Sequence, residues 1–157
     1  MPAPGAVEGL FIAPDSGEPM QAVDDVDAVG GRGLRGDRYY RDQGLYDRRE
    51  DLPDGTDVTL IEVEALEAAR RDEDTVVQPR QTRRNVLTRD VPLNHLVDRE
   101  FRVGEATLVG AHLCEPCSYM ESLADTEGAM DALVHRGGLN ANVIESWTIS
   151  VSDPVVY

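Results

Sequence analysis

The stretch Glu100-Phe101-Arg102-Val103-Gly104-Glu105-Ala106-Thr107-Leu108-Val109-Gly110-Ala111-His112-Leu113 decides the fold class. Glu100 to Gly104 and Ala106 to Leu113 read as two strands, joined by a tight turn at Gly104-Glu105. The second strand runs into Leu113-Cys114-Glu115-Pro116-Cys117-Ser118-Tyr119-Met120, which holds the only two cysteines of the chain.

Downstream, Ser122 to Val134 predicts a helix that buries Leu123, Met130 and Leu133. His135-Arg136-Gly137-Gly138-Leu139 is a turn. Asn140 to Ile144 and Trp147 to Val151 are strands, and Ser152-Asp153-Pro154 turns the chain into a last apolar edge, Val155-Val156. Upstream, residues 5–12 read as the first strand, followed by a turn at Pro14-Asp15-Ser16-Gly17. Met20 to Val29 is a second strand with polar interruptions. A polar surface loop covers 41–57. Val58 to Ile61 is a strand, and Glu62 to Arg71 a short helix, with Val63, Leu66 and Ala69 at helical spacing. One helical turn is expected at 93–97. Many short strands with few short helices predict a mainly β, barrel-like single domain over 1–157, with helical insertions. Phe101 and Trp147 are expected in its core. His95 reads as a surface or capping residue, His112 as a satisfied edge or core histidine, and His135 as part of its turn.

The 157 residues are enough to bury a core without disulfides or metals. No apolar run is long enough to span a bilayer. The opening Met1-Pro2-Ala3-Pro4-Gly5 lacks the features of a signal peptide, so a cytoplasmic location is expected. Thirty acidic residues stand against fifteen basic ones, giving a net charge of −15, and every basic residue is Arg. The acid is spread along the whole chain, as on the solvated surface of a halophilic protein, where molar salt screens self-repulsion. This balance argues against a nucleic-acid-binding face, which would need the fifteen arginines gathered on one side against thirty acids.

Two segments gather positive charge. Gly30-Gly31-Arg32-Gly33-Leu34-Arg35-Gly36-Asp37-Arg38-Tyr39 combines glycines, which let backbone N–H groups converge on an anion, with arginines that pair to its oxygens. It lacks the ending of a Walker loop. Its plainer reading is a glycine-rich connection with solvent-facing arginines. In Gln81-Thr82-Arg83-Arg84-Asn85-Val86-Leu87-Thr88, two arginines and an Asn precede an apolar strand start; the plainer reading is a salt-bridged surface pair. Four roles remain open for the cysteines. They could be a thioredoxin-like dithiol, a zinc site of His112, Cys114 and Cys117 completed by His95 or His135, a single functional thiol at Cys117, or two inert buried residues.

Taken in order, several segments resemble the MOSC domain of molybdenum cofactor sulfurases, in its small stand-alone form. They are Gly33-Leu34-Arg35-Gly36-Asp37-Arg38-Tyr39, Leu60-Ile61-Glu62-Val63-Glu64, Thr82-Arg83-Arg84-Asn85-Val86-Leu87, Leu93 to Gly104, Glu115-Pro116-Cys117 and Arg136-Gly137-Gly138-Leu139. The resemblance implies a β-barrel that binds a molybdopterin-type molybdenum cofactor. It implies that Cys117 coordinates molybdenum or carries sulfur toward it. It implies that Arg83 and Asn85, with Thr82 heading their segment, meet the pterin and phosphate side. Arg35, Asp37 and Arg38 match a Gly-Asp-Arg loop, and Arg136 and Gly137 a turn lining the same cavity. The implied activity is reduction of N-hydroxylated compounds with electrons from an external donor. The alternative is a non-enzymatic sulfur carrier, with a Cys117 persulfide for a molybdoenzyme acceptor. Pyridoxal phosphate is attached to the family by description, but a chain without lysine cannot form the usual Schiff base. The sequence departs from the family pattern in having Ser152-Asp153 for Gly-Asp, a replaced glycine around Glu145-Ser146-Trp147, and the additional Cys114.

Overall fold

The computed structural model describes residues 4–15, 17–40, 57–114 and 128–157. Most of the expected loop over 41–57, Ser16 of the first turn, Cys117 and the first part of the expected helix at 122–134 lie outside them.

The chain forms a closed barrel with a small second sheet. In chain order the strands are β1 (Gly5–Ile12), β2 (Gln21–Val23), β3 (Asp25–Val29), β4 (Gly33–Leu34), β5 (Val58–Glu62), β6 (Val86–Arg89), β7 (Glu100–Val103), β8 (Ala106–Leu113), β9 (Leu139–Glu145), β10 (Trp147–Ser150) and β11 (Pro154–Val156). The large sheet runs β11-β7-β8-β9-β5-β6-β1-β2, and β11 also pairs with β1, which closes seven strands on themselves. The outer sheet is β10-β3-β4. The β7–β8 hairpin forms in the expected register, from Val103 opposite Ala106 to Glu100 opposite Val109.

Every strand pair in the barrel is antiparallel except β5–β6. Parallel neighbours need a crossover, and helix α1 (Val63–Glu73) supplies it. Its apolar residues recur on one face, so Ala65, Leu66 and Ala69 are buried. They pack with Ile61 and Leu87 on the outer face of β5 and β6, together with Ala129, Ala132 and Leu133 of the short α2 region (helix Ala129–Ala132). Arg70 and Arg71 in the last turn of α1 complement its dipole.

Side chains alternate across the barrel wall. Val58, Leu60 and Val86 point into the main core, while Ile61 and Leu87 point out to the helices. The interior is filled from all round the barrel by Leu10, Leu93, Phe101, Leu108 and Leu139, among others. Burying each such large side chain stabilises the fold by about 1.5–3 kcal/mol over leaving it in water.

Four expectations need correction. The strand expected over 20–29 is two strands: the chain leaves the barrel sheet after β2, and Asp25–Val29 pairs with β10 and β4. Val155-Val156 is not an edge, because β11 is hydrogen-bonded to both β7 and β1 and Val155 is fully buried. Trp147 is not core: it is 55% exposed, at the point where β10 enters the outer sheet. Met130 is only half-buried, and Ala129 and Ala132 take the helix's buried positions beside Leu133.

Candidate functional site

Four consecutive residues, Thr82 to Asn85, tie together most of what the sequence singled out. They follow a 3-10 turn at Pro79–Thr82 and lead into β6. Arg83 adopts a left-handed backbone (φ +65°) as the cap of that turn. The side chains on either side of it are thereby sent to different elements.

Thr82 is buried, and its hydroxyl donates to the Pro79 carbonyl (2.7 Å) while accepting the Arg84 N–H (3.2 Å). The Arg83 guanidinium donates to the carbonyl of Glu18, in the β1–β2 connection. Asn85 has no exposed surface. Its side-chain oxygen accepts the N–H and the hydroxyl of Thr59, both at 3.0 Å, and its amide donates to the Phe11 carbonyl (3.1 Å). Asn85 therefore bridges β5 and β1 within the barrel wall.

The Gly-Asp-Arg loop reaches the same segment. Arg38 Nη2 donates to the Arg83 carbonyl at 3.0 Å, and Nη1 contacts Asp37 (3.2 Å) and the Met20 sulfur (3.4 Å). The guanidinium also lies 4.3 Å from the Tyr39 ring centre. Asp37 accepts the backbone N–H groups of Ala13 (3.0 Å) and Tyr39 (3.2 Å), so its carboxylate fixes the loop against the end of β1. A buried ion pair with this many hydrogen bonds holds geometry more than it adds stability.

Arg84 was not among the residues singled out, yet it makes the widest set of contacts. Its Nε donates to Gly137 O (2.8 Å), Nη1 to Thr82 O (3.2 Å) and Nη2 to Cys114 O (3.2 Å). It thus joins the glycine turn after α2 to the end of β8. Cys114, half-buried, donates its own N–H to Gly138 O (2.8 Å). Gly138 has φ +113°, and a Cβ there would collide with the Leu60 carbonyl oxygen. Only glycine lets the turn approach β5 this closely. His135, also left-handed at φ +64°, shapes the same turn, and Asn94 donates to its carbonyl (3.1 Å).

Two expected residues point elsewhere. Arg35 lies on the outer sheet with its side chain 61% exposed, 3.6 Å from Asp27 and 5.4 Å from the Tyr40 ring centre. It borders an open groove of about 460 Å³ whose other wall is Trp147. Arg136 donates to Ala132 O (2.9 Å) and reaches Asp72 at the end of α1 (3.4 Å). Its neighbour Gly137 belongs to the Arg84 network through its carbonyl. On β8, His112 Nδ1 lies 3.1 Å from the Asn140 amide nitrogen. No group of three or more His, Cys, Asp or Glu side chains is placed to hold a metal ion among the described residues, which exclude Cys117.

At the β5–α1 junction, burial raises the Glu62 carboxyl above its ordinary value, and the Glu64 carboxylate pushes the same way; the Leu93 N–H and His95 oppose them. Glu64 accepts the Asp90 N–H (2.9 Å) through one oxygen, while its other oxygen is buried with no hydrogen-bond partner among the described residues.

Sequence reasoning missed Arg84 because two adjacent arginines look alike on paper. The signal was the tandem pair itself: neighbouring residues rarely send their side chains the same way, so one of the two had to serve a different element.

Comparison with known proteins adds the following. Residues 47–156 match the family model of the MOSC domain. No curated protein matches significantly. Among solved structures, the YuaD protein of Bacillus subtilis superposes with a TM-score of 0.75 at 18% identity, covering 98% of this chain and 96% of that one. YiiM from Geobacillus stearothermophilus gives 0.70 at 12% identity, with 98% and 74% coverage. YiiM from Escherichia coli gives 0.63 at 19%, with 99% and 69%. At these identities the likeness is one of fold. Among the described residues, no helix is long and apolar enough to cross a membrane.

Proposed function

This chain belongs to the MOSC-domain family, and on that premise we propose that it binds a molybdopterin-type molybdenum cofactor and reduces N-hydroxylated compounds. The observation that carries this reading is the convergence of Arg38, Arg83 and Arg84, each only 9% exposed, on one four-residue segment. In a chain of net charge −15, three nearly buried arginines tied to one short segment, Arg38 directly to the Arg83 carbonyl, concentrate positive charge where an anion can be met. Their planar, forked donors suit phosphate and the polar edge of a pterin. The donor set therefore fits the group that the family is associated with.

In this reading Arg83 and Arg38 meet the cofactor's anionic side. Thr82, Asp37 and Asn85 hold those arginines and the backbone around them, so the donors are already aimed before anything binds. Gly137 offers its carbonyl to Arg84, Gly138 gives the turn its close approach, and Arg35 and Arg136 stand at the margin. Cys117 offers a thiolate to a metal that accepts soft ligands. When bound, the cofactor supplies two-electron oxygen-atom chemistry. The net conversion takes an N–OH group, two electrons and two protons to N–H and water. The sequence has no flavin or iron–sulfur motif, so the electrons come from an external donor protein.

The test is elemental analysis with pterin fluorescence, on protein purified in high salt from a host that makes the cofactor. Near-stoichiometric molybdenum and turnover of an N-hydroxylated substrate are expected, and both should be lost in Cys117→Ala. Full molybdenum retention in that variant would remove the ligand role. A gain of one sulfur in mass on Cys117, in molybdenum-free protein, would identify a sulfur carrier instead. The acid-rich, lysine-free surface fits work at molar salt, and the unfolding midpoint should rise between low and molar KCl.

A further inference from the structure

We propose that β10 is a pairing edge: two copies of this chain associate about a twofold axis through Thr148, with Trp147 covering the junction. The association is independent of the cofactor reading.

β10 is an outermost strand of the outer sheet, where β3 is its one neighbour among the described residues. The register sets Thr148 opposite Asp27 and Ile149 opposite Val26, and the Val151 N–H donates to the Asp24 carbonyl further along the same ladder. Peptide groups alternate sides along an antiparallel strand. Those of Trp147, Ile149 and Val151 therefore turn toward β3, and those of Thr148 and Ser150 turn away. At Ser150 the outward N–H is closed by the Asp153 carboxylate (2.8 Å). Thr148 is exposed, and no described strand pairs with its outward side.

A single open residue is too little edge for an extended peptide, which binds through several ladder bonds. It is enough for a second copy. Residues directly opposite in an antiparallel pair exchange both N–H···O bonds, so a twofold axis through Thr148 lets its N–H and carbonyl meet those of the other Thr148. The surroundings fit the same occupant. Ile144, Trp147 and Val151 are large, apolar and exposed, and they bracket the strand. Monomeric proteins usually keep apolar side chains away from an open edge. The groove that Trp147 shares with Ala28 and Val29 is lined by one acid, Asp27, and one base, Arg35. In a chain of net charge −15, such a balanced face is where a second copy can approach without net repulsion, and an isologous contact sets both signs on both sides. Asp27 is already engaged by Arg35 (3.6 Å) and by the Thr148 hydroxyl (2.7 Å), so the groove holds no unmet charge that would call for a small ion. Asp24, Asp25 and Glu145 stand exposed at its borders, so the association should tighten as KCl screens them.

The experiment is sedimentation equilibrium of the full chain over a wide concentration range, at low and molar KCl. A monomer–dimer equilibrium that tightens with KCl is expected. Trp147 is the only tryptophan of the chain, so its emission reads the junction directly and should shift to the blue as the dimer forms. Hydrogen exchange of the Thr148 amide should slow at least tenfold from monomer to dimer, while that of Ile149, bonded within the sheet, changes little. Thr148→Pro deletes the outward N–H and leaves the donors toward β3 in place; it should weaken the dimer at least tenfold. Thr148→Val removes the hydroxyl but keeps the N–H, and should stay within threefold of the parent. Arg35→Glu should weaken the dimer at least fivefold, and Arg102→Glu, the same change on an exposed residue of β7, no more than twofold. A parent that stays monomeric throughout would overturn the proposal, including one whose Trp147 emission shifts only on adding a foreign protein. A dimer with unchanged Trp147 emission and Thr148 exchange would place the interface elsewhere and overturn it too. Parent-like association of Thr148→Pro would overturn the edge pairing, and the emission and exchange of the parent decide the matter should that variant not fold.

Discussion

Arg84 and Arg35 both come from arginine-rich segments that read alike in the sequence, and the fold treats them in opposite ways. Arg84 is buried on three carbonyls between the barrel and a glycine turn. Arg35 lies on the outer sheet, largely in water, beside one carboxylate. The same division holds for glycine. Gly138 sits against the Leu60 carbonyl, whereas Gly31, in the β3–β4 turn, has open space where a Cβ would go. Chemistry that looks interchangeable in composition becomes structural on one side and superficial on the other. What decides is the amount of backbone brought close to it.

The strongest way to break that contrast is at the glycines. Gly138→Ala combines a left-handed backbone with a direct clash and should cost at least about 3 kcal/mol. Gly31→Ala, at φ +72° with nothing nearby, should cost only about 1 kcal/mol. Chemical denaturation in molar KCl separates the two, and equal losses would erase the distinction. Next come the arginines. Arg84→Ala removes hydrogen bonds to three carbonyls, two of them in buried contacts, and should lower stability by about 3 kcal/mol, against no more than about 0.5 kcal/mol for Arg35→Ala.

Glu62 sharpens the comparison from the side of negative charge, since it is partly buried next to a like charge. Its folded-state carboxyl is raised above the ordinary value of 4.5, first by burial and then by Glu64. The folded protein therefore holds this proton more tightly than the unfolded chain does. The stability it contributes is full below the ordinary value and is lost as pH rises through the raised one. Glu62→Gln should raise the unfolding midpoint at pH 7 and leave it unchanged below pH 4. An equal rise at both would mean that charge is not the cause.

The smallest effect belongs to the closing turn. Ser152 stands where the resemblance expects glycine, and it holds φ +79°. Ser152→Gly should relieve that strain and, after glycine's own entropic cost, gain about 0.5 kcal/mol. A loss in the same denaturation experiment would show that the serine is held by something more than backbone geometry.

Local pattern made much of this fold readable. The β7–β8 hairpin and α1 follow from residues close together in sequence, and both fall where the pattern put them. Closure by β11 did not, because a three-residue strand shows nothing of partners near residues 5 and 103. Trp147 misled because a large aromatic in a strand usually packs inward, and here the strand opens onto the outer sheet. At the site, the motifs identified the Thr82–Asn85 segment and the Gly-Asp-Arg loop. They could not reveal that Asn85 bridges two strands or that Arg84 reaches the cysteine strand. Those roles depend on the left-handed turn at Arg83, a backbone choice the sequence does not announce.

The pairing of β1 with β11 also bears on how the protein is made. Ala6 pairs with Pro154, so the barrel cannot close until nearly all the intervening chain has emerged. At roughly 5–20 residues per second, synthesis leaves part of β1 without its neighbour for on the order of ten seconds or more. An open strand edge is a template for pairing with other chains. Acid dispersed along the whole sequence puts like charge on every nascent copy, and so discourages growing chains from pairing before each barrel has shut.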